Sequence, residues 1–324
     1  MLAPKISVLL PVYNAASFIG ESIQSILDQT ESDFELLIID DCSTDNSFQI
    51  IESFQDPRII LHKKKLNSGY TESLNWGIDQ ARGKYIARMD ADDVSLPQRF
   101  EKQLLFLEKN QHIAMCGTDA IVKGSNLKFN YPCEPEAIQA NLLLGSSLIH
   151  PSILGRAEIF KAHKYNIAKE PAEDYDLFTR LAASGIQLAN LEEPLLIYRV
   201  HTNQISKVQN QKQIGSAQQS MLRMFKLFEY DRIQYSDETV LSYIWPTRSI
   251  NRGQLKAGLV FFEQLKNSKH PFTKKEVLKV IRIKRYNLFK AYVKQMNFGT
   301  IKASFLALRL LGLSHWRQIL KLSY

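Results

Sequence analysis

The chain has 324 residues, 45% of them hydrophobic and 23% charged, which suits one large or two ordinary globular domains with a sizeable core and excludes a chain too polar to build one. No window approaches the roughly 20 apolar residues that span a bilayer. The opening "MLAPKISVLLPVYN" has too short an apolar stretch for a signal peptide, so the expected location is cytoplasmic, and three widely spaced cysteines, Cys42, Cys116 and Cys133, read as reduced thiols without metal spacing.

In chain order, β-rich runs recur every 25–30 residues: "KISVLL" from Lys5, "FELLIID" from Phe34, "RIILH" from Arg58 and "KYIARM" from Lys84. Between them, Phe18, Ile19, Ile23, Ile26 and Leu27 follow a helical period over 17–28. Thr44 or Asp45 can cap a second helix carrying Phe48, Ile51 and Phe54, and a third holds Leu74, Ile78 and Ala81 before Gly83. This alternation predicts βαβ units and a mainly parallel sheet. Ligands bind outside the carboxyl ends of such strands, so "PVYN", "DDCSTD" and "DADD", each following a strand, should line one sheet edge. Beyond residue 95 the pattern is mixed. It gives a helix at 96–109, a strand at 112–117, a hairpin turning at Gly124–Asn126, a helix in "EDYDLFTRLAASG" stopped by Gly185 and a strand in "PLLIYRVH". After about 205 it is helical and basic.

The stretch "YIARMDADDV" puts Asp90, Asp92 and Asp93 within four residues. A single Asp at a strand end is an ordinary cap. Three repel one another and raise their pKa values unless a cation compensates. Mg²⁺ or Mn²⁺ does so through one or two carboxylates plus substrate phosphate oxygens. In an extended chain Asp90 and Asp92 would point the same way, one toward a sugar hydroxyl and the other toward metal. No GxxxxGK[ST] loop and no GxGxxG follows the first strand, which argues against a P-loop enzyme or a dinucleotide dehydrogenase.

The ordered series "PVYN" (11–14), "LIIDDCSTD" (37–45), "NSGYTESLNWGI" (67–78), "GKYIARMDADDVSLPQRFEKQ" (83–103), "HPS" (150–152), "EDYD" (173–176) and "YRVHTNQIS" (198–206) resembles the family 2 glycosyltransferases. The resemblance covers residues 5–206. It implies an α/β GT-A fold, a nucleotide-sugar donor such as a UDP-sugar, a divalent metal (Mn²⁺ or Mg²⁺), inversion at the anomeric centre and work on O-antigen, capsule or exopolysaccharide. By resemblance, Pro11, Tyr13 and Asn14 belong to the nucleotide site, with Pro11 and Tyr13 against the base. Asp41 accepts an N–H from the base, its structural alternative being a helix cap. Asn67 and Gly69 lie on the loop under the nucleotide. Asp90, with Ala91 beside it, meets ribose or sugar. Asp92 and His201 hold the metal–diphosphate, and Asp93 supports its neighbours or caps the "LPQRF" helix. One departure stands out: many members carry Leu or a small residue followed by a basic one after Asn–x–Gly, where this chain has Tyr70 and Glu72.

The same resemblance places the general base in the "EDYD" motif, at Asp174, with Glu173 the substrate-site neighbour and second choice and Asp176 third. Pattern alone favours a helix N-cap for Asp174, and it is the resemblance that assigns it the catalytic role. Residues 252–321 carry 16 Lys/Arg against Glu263 and Glu276, so this segment is strongly positive while the rest of the chain is net negative. The domains expected are residues 1–206, catalytic, and 207–324, helical and basic. A helix at 273–297 shows Val277, Ile281, Leu288, Tyr292 and Met296 near one face, with Lys275, Lys279, Arg282, Lys290 and Lys294 around it, and 300–322 adds a second apolar stripe. Such helices suit an anionic membrane surface and a lipid-linked oligosaccharide acceptor, or else simply pack as a subdomain. No motif for nucleic acid accompanies the charge. Two other function classes compete. A sugar-phosphate nucleotidyltransferase would need a basic Gly-rich loop where "PVYNAAS" stands. A receiver-like signalling module would carry its acidic pair after the first strand, not the second.

Overall fold

The computed structural model describes residues 3–125, 127–201, 210–247 and 249–295. Contacts divide the chain into two compact units, residues 1–221 and 222–324. Met296, the apolar stripe expected at 300–322 and the residues of "YRVHTNQIS" beyond His201 lie outside the described residues.

The first unit is built on one eight-stranded sheet: β1 (Ile6–Val12), β2 (Phe34–Asp40), β3 (Ile59–Lys63), β4 (Tyr85–Arg88), β5 (Val94–Ser95), β6 (Ile113–Val122), β7 (Leu154–Arg156) and β8 (Gln187–Tyr198). Their spatial order is β3-β2-β1-β4-β7-β6-β8-β5. β3, β2, β1 and β4 run parallel. β7 is antiparallel to both β4 and β6, and β6 and β8 run parallel through a bulged register. β1, β2 and β4 are buried along their whole length, which is why they read as continuous apolar runs and not as alternating ones. Ile6, Val8 and Leu10 point into the core that also receives Ile19, Ile23 and Ile26 of α1 (Ile19–Leu27). Each such fully buried side chain contributes about 1.5–3 kcal/mol.

α2 (Ser47–Glu52), α3 (Tyr70–Gln80) and α4 (Arg99–Lys109) complete the crossovers. The strands and helices expected up to residue 110 are all present. β6 and β8 are longer than expected, because each pairs with the other over most of its length. The hairpin survives as a turn in which the Val122 amide donates to the Leu127 carbonyl at 3.0 Å. α5 (Pro135–Asn141), α6 (Ala157–Ala162) and α7 (Glu173–Ala183) follow, α7 being followed by Gly185 at φ 77°. α8 (Asn210–Phe225) leads out of this unit.

The second unit contains α9 (Asp237–Ile244), α10 (Arg252–Asn267) and α11 (Lys274–Gln295). α10 opens with a capping box in which Asn251 and Gln254 exchange side-chain-to-backbone bonds. It meets α11 at Gly258, where an added Cβ would lie 2.4 Å from a Leu288 methyl. Val277, Ile281, Leu288 and Tyr292, the apolar face expected on α11, are buried, so that face is spent on packing. Lys275, Lys279, Arg282, Lys290 and Lys294 remain exposed.

Candidate functional site: an acidic turn at the carboxyl edge of the sheet

The three polar segments expected at one edge do meet there. The turns after β1 and β2 are stitched together: the Asn14 carboxamide oxygen accepts the Thr44 amide at 2.8 Å, and the Asn14 amide donates to Ser43 Oγ at 3.1 Å. Asn14 and Cys42 adopt left-handed backbones, φ 50° and 63°, an uncommon conformation that marks tight functional turns. Pro11 is buried within β1, whereas Tyr13 is 49% exposed. Asp45, one of the two proposed caps, accepts the Ser47 amide at 2.9 Å and the Ala16 amide at 3.0 Å. Asp41 caps no helix. Its buried carboxylate takes the amides of Ser68 (3.0 Å) and Gly69 (2.9 Å) and pairs with Lys64 at 2.8 Å. It therefore fixes the exposed Asn67 loop from below and leaves about one of four lone-pair positions free.

Residues 90–93 depart from the extended geometry expected of them. They form a turn in which the Asp93 amide donates to the Asp90 carbonyl at 3.4 Å. An extended chain would send Asp93 to the opposite side. The turn instead brings carboxylate oxygens of Asp90, Asp92 and Asp93 within 4.8 Å of one another. Asp90 pairs with buried Arg88, and Asp92 Oδ2 lies 2.7 Å from His201 Nε2, whose ring stacks on Phe18. Asp93 does not cap α4; its Oδ1 accepts the Arg199 amide at 2.9 Å, and its Oδ2 is buried without a partner. Burial first, then the neighbouring aspartates, push the Asp93 carboxyl well above its ordinary value. Asp90 is raised by burial and by Asp92, against the pull of Arg88. Ala91 sits half-buried between them. Hard oxygen donors, one imidazole and an orphaned buried carboxylate oxygen fit a divalent cation.

Asp174 lies in the first turn of α7 and is half-buried. Burial raises its pKa; the amides of Tyr175 and Asp174 and the Arg88 charge lower it, and Asp90 raises it again. It is thus within electrostatic reach of the acidic turn. Glu173, buried at 2% exposure, accepts a hydrogen bond from Tyr70, and burial followed by Asp174 lifts its carboxyl to about 8. His150 of "HPS" stands beside it, Nδ1 3.6 Å from Glu173 and Nε2 2.7 Å from the Tyr165 hydroxyl. Burial and Arg88 hold His150 well below its usual range, so this ring is neutral. Asp176 is fully buried and binds Arg180 at 2.8 Å, a structural role.

With this geometry in view, comparison with known proteins is decisive. The family model described as "Glycosyl transferase family 2" matches residues 7–163. An uncharacterized glycosyltransferase of Haemophilus influenzae is 36% identical over 230 residues, 66% of this chain and 71% of that protein. The O-antigen biosynthesis glycosyltransferase WbnJ of Escherichia coli is 32% identical over 213 residues, 62% of this chain and 82% of that protein. The chain belongs to glycosyltransferase family 2. Its fold is that of S. aureus TarS residues 1–349, solved in complex with UDP-GlcNAc, at a TM-score of 0.60 and 17% identity over 88% of this chain and 89% of that one. It is a glycosyltransferase with the GT-A fold.

Several residues of this glycosyltransferase site escaped pattern reading. Arg88, inside the apolar run "YIARM", is 4% exposed; a charge buried in a strand demands a carboxylate, and Asp90 stands two residues on, on the same side. Arg99 of "LPQRF" is fully buried and donates to the carbonyls of Pro151 (2.7 Å) and Arg88 (3.1 Å). It locks the acidic strand to "HPS", and burial pulls its pKa down to about 9. Lys64, Glu170 and Arg199 also support the site through contacts with Asp41, Thr71 and Asp92, which lie 23, 99 and 107 residues away in sequence.

Proposed function

We propose that this glycosyltransferase moves a sugar from a UDP-sugar to a hydroxyl of a saccharide acceptor, with Mn²⁺ or Mg²⁺ and inversion at the anomeric carbon. The observation that carries the reading is the acidic turn, with three converging carboxylates and one orphaned buried oxygen at the same sheet edge as Asp174. Asp92 and His201 would hold the ion, and Asp90, already paired with Arg88, would meet the ribose or sugar. A divalent ion there supplies Lewis-acid neutralisation of the leaving diphosphate. Pro11, Tyr13 and Asn14 border the base pocket, and Asp41 offers its remaining lone pair to the base while holding the Asn67–Gly69 loop.

Asp174 accepts the proton of the attacking hydroxyl. Burial raises its pKa, which makes it a better proton acceptor than an exposed aspartate, while the first amides of α7 oppose that rise. A single base and an in-line attack give inversion. TarS supports the choice of UDP, and WbnJ supports a cell-surface saccharide acceptor, which we extend to a lipid-linked oligosaccharide. Among the described residues no helix is long and apolar enough to cross a membrane. Contact with an anionic membrane would use the exposed lysines and arginine of α11, at about 1 kcal/mol each.

A thermal-shift panel with UDP, GDP and dTDP, with and without Mn²⁺, followed by turnover of UDP-Glc, UDP-Gal, UDP-GlcNAc and UDP-GalNAc, tests this. Stabilisation by UDP only with metal, and metal-dependent turnover of one donor, are expected. Stabilisation that ignores metal, or that survives Asp92→Asn unchanged, overturns the site.

A further inference from the structure

The loop under the nucleotide and the helix bearing the base are physically joined. Gly69 has φ 95°, and a Cβ there would approach Glu170 Oε2 to 3.0 Å. Glu170 Oε2 accepts the Thr71 amide at 3.1 Å at the start of α3. One residue earlier, the Tyr70 hydroxyl donates to Glu173, next to Asp174. On its other side the same loop is held by Asp41 through Ser68 and Gly69. The segment 68–71 is therefore clamped between the strand that approaches the nucleotide and the acidic start of α7, about 100 residues away in sequence. Tyr70 is also, with Glu72, one of the two residues at which this chain departs from the family pattern.

We infer that Tyr70 is a positioning residue which ties the nucleotide loop to Glu173 and so sets the carboxylate of Asp174 from the donor side. This rests on the reading of Asp174 as the base. Burial and the neighbouring carboxylates hold the Tyr70 phenol far above its ordinary range, so it keeps its proton and acts as the donor. Glu173 receives it among Asp174, Arg88 and a neutral His150. Removing the hydroxyl leaves a buried acceptor without its donor, a loss larger than that of an exposed hydrogen bond. The base then samples positions in which it does not reach the acceptor hydroxyl, and misplacement on that scale lowers rate more than affinity.

The test compares wild type with Tyr70→Phe in the full chain by amide hydrogen exchange and by steady-state kinetics. Without any ligand, exchange over 170–176 should quicken about tenfold in the variant, while 6–12 and 34–40 stay unchanged. With UDP and Mn²⁺, the variant should keep protection of 67–71 and lose the added protection of 170–176. With the turned-over donor, kcat should fall about tenfold at a donor KM within twofold of wild type, and Tyr70→Phe should have no further effect on top of Asp174→Asn. Unchanged exchange at 170–176 in the ligand-free variant overturns the tether whatever the donor is. Altered exchange with unchanged kcat overturns its catalytic role. Absence of turnover by wild type with every donor counts against the assigned function instead, and the exchange arm still decides the tether.

Discussion

The acidic edge of the sheet and the C-terminal helical unit solve opposite problems. In the helical unit apolar groups point inward: Phe261, Phe262, Leu265 and Leu288 are buried, and the charges of α11 face water apart from Lys284. At the sheet edge the chain buries charge. Asp41, Asp93, Arg88 and Glu173 all lie below 6% exposure, Asp93 keeps an oxygen without a partner, and carboxyls are pushed upward by burial and by one another. Burying charge without full compensation costs stability. The contrast teaches that one region spends its burial on apolar packing, whereas the other buries charge that its own side chains do not fully compensate.

Substitutions on the two sides should therefore fail differently. The largest effect is expected from Asp174→Asn: transfer about 10³-fold slower, with UDP–Mn²⁺ thermal stabilisation retained. Full retention of transfer would reduce Asp174 to a helix-start residue. In the helical unit, Gly258→Leu should lower stability by about 1–3 kcal/mol through overpacking against Leu288, measured by urea unfolding, while UDP binding is unchanged.

Glu173→Gln sharpens the comparison through pH. The folded-state carboxyl titrates at about 8, above the roughly 4.3 of an unfolded glutamate. Between these values the unfolded chain has released a proton that the folded one keeps, so wild-type stability should fall as pH rises from 5 to 8. The glutamine variant should show a shallower fall in Tm across that window. An identical slope would mean that Glu173 is ionised in the fold. The smallest effect on folding belongs to Lys279→Glu with Arg282→Glu: stability within about 0.5 kcal/mol, with loss of flotation on anionic vesicles at low salt. Equal flotation of variant and wild type would remove α11 from any membrane contact.

The division between what could be read and what had to be seen follows from the range of the forces involved. Hydrophobic period, strand spacing and turn residues act over a few positions, so the parallel half of the sheet, α1, α3, α4 and α7, and the convergence of "PVYN", "DDCSTD" and "DADD" at one edge were all legible in the sequence. So was the charge asymmetry of the C-terminal region. The conformation of residues 90–93 was not, because an acidic run reads alike as extended chain or as turn, and the bond that holds Asp93 in place comes from the amide of Arg199, just past β8 and 106 residues away. Nor could sequence tell that Asp41 grips the Asn67 loop, that Arg88 neutralises Asp90, or that Tyr70 reaches Glu173. Those partners are chosen by which buried polar atoms the folded sheet brings within hydrogen-bond reach, a condition on three-dimensional distance that no local pattern encodes.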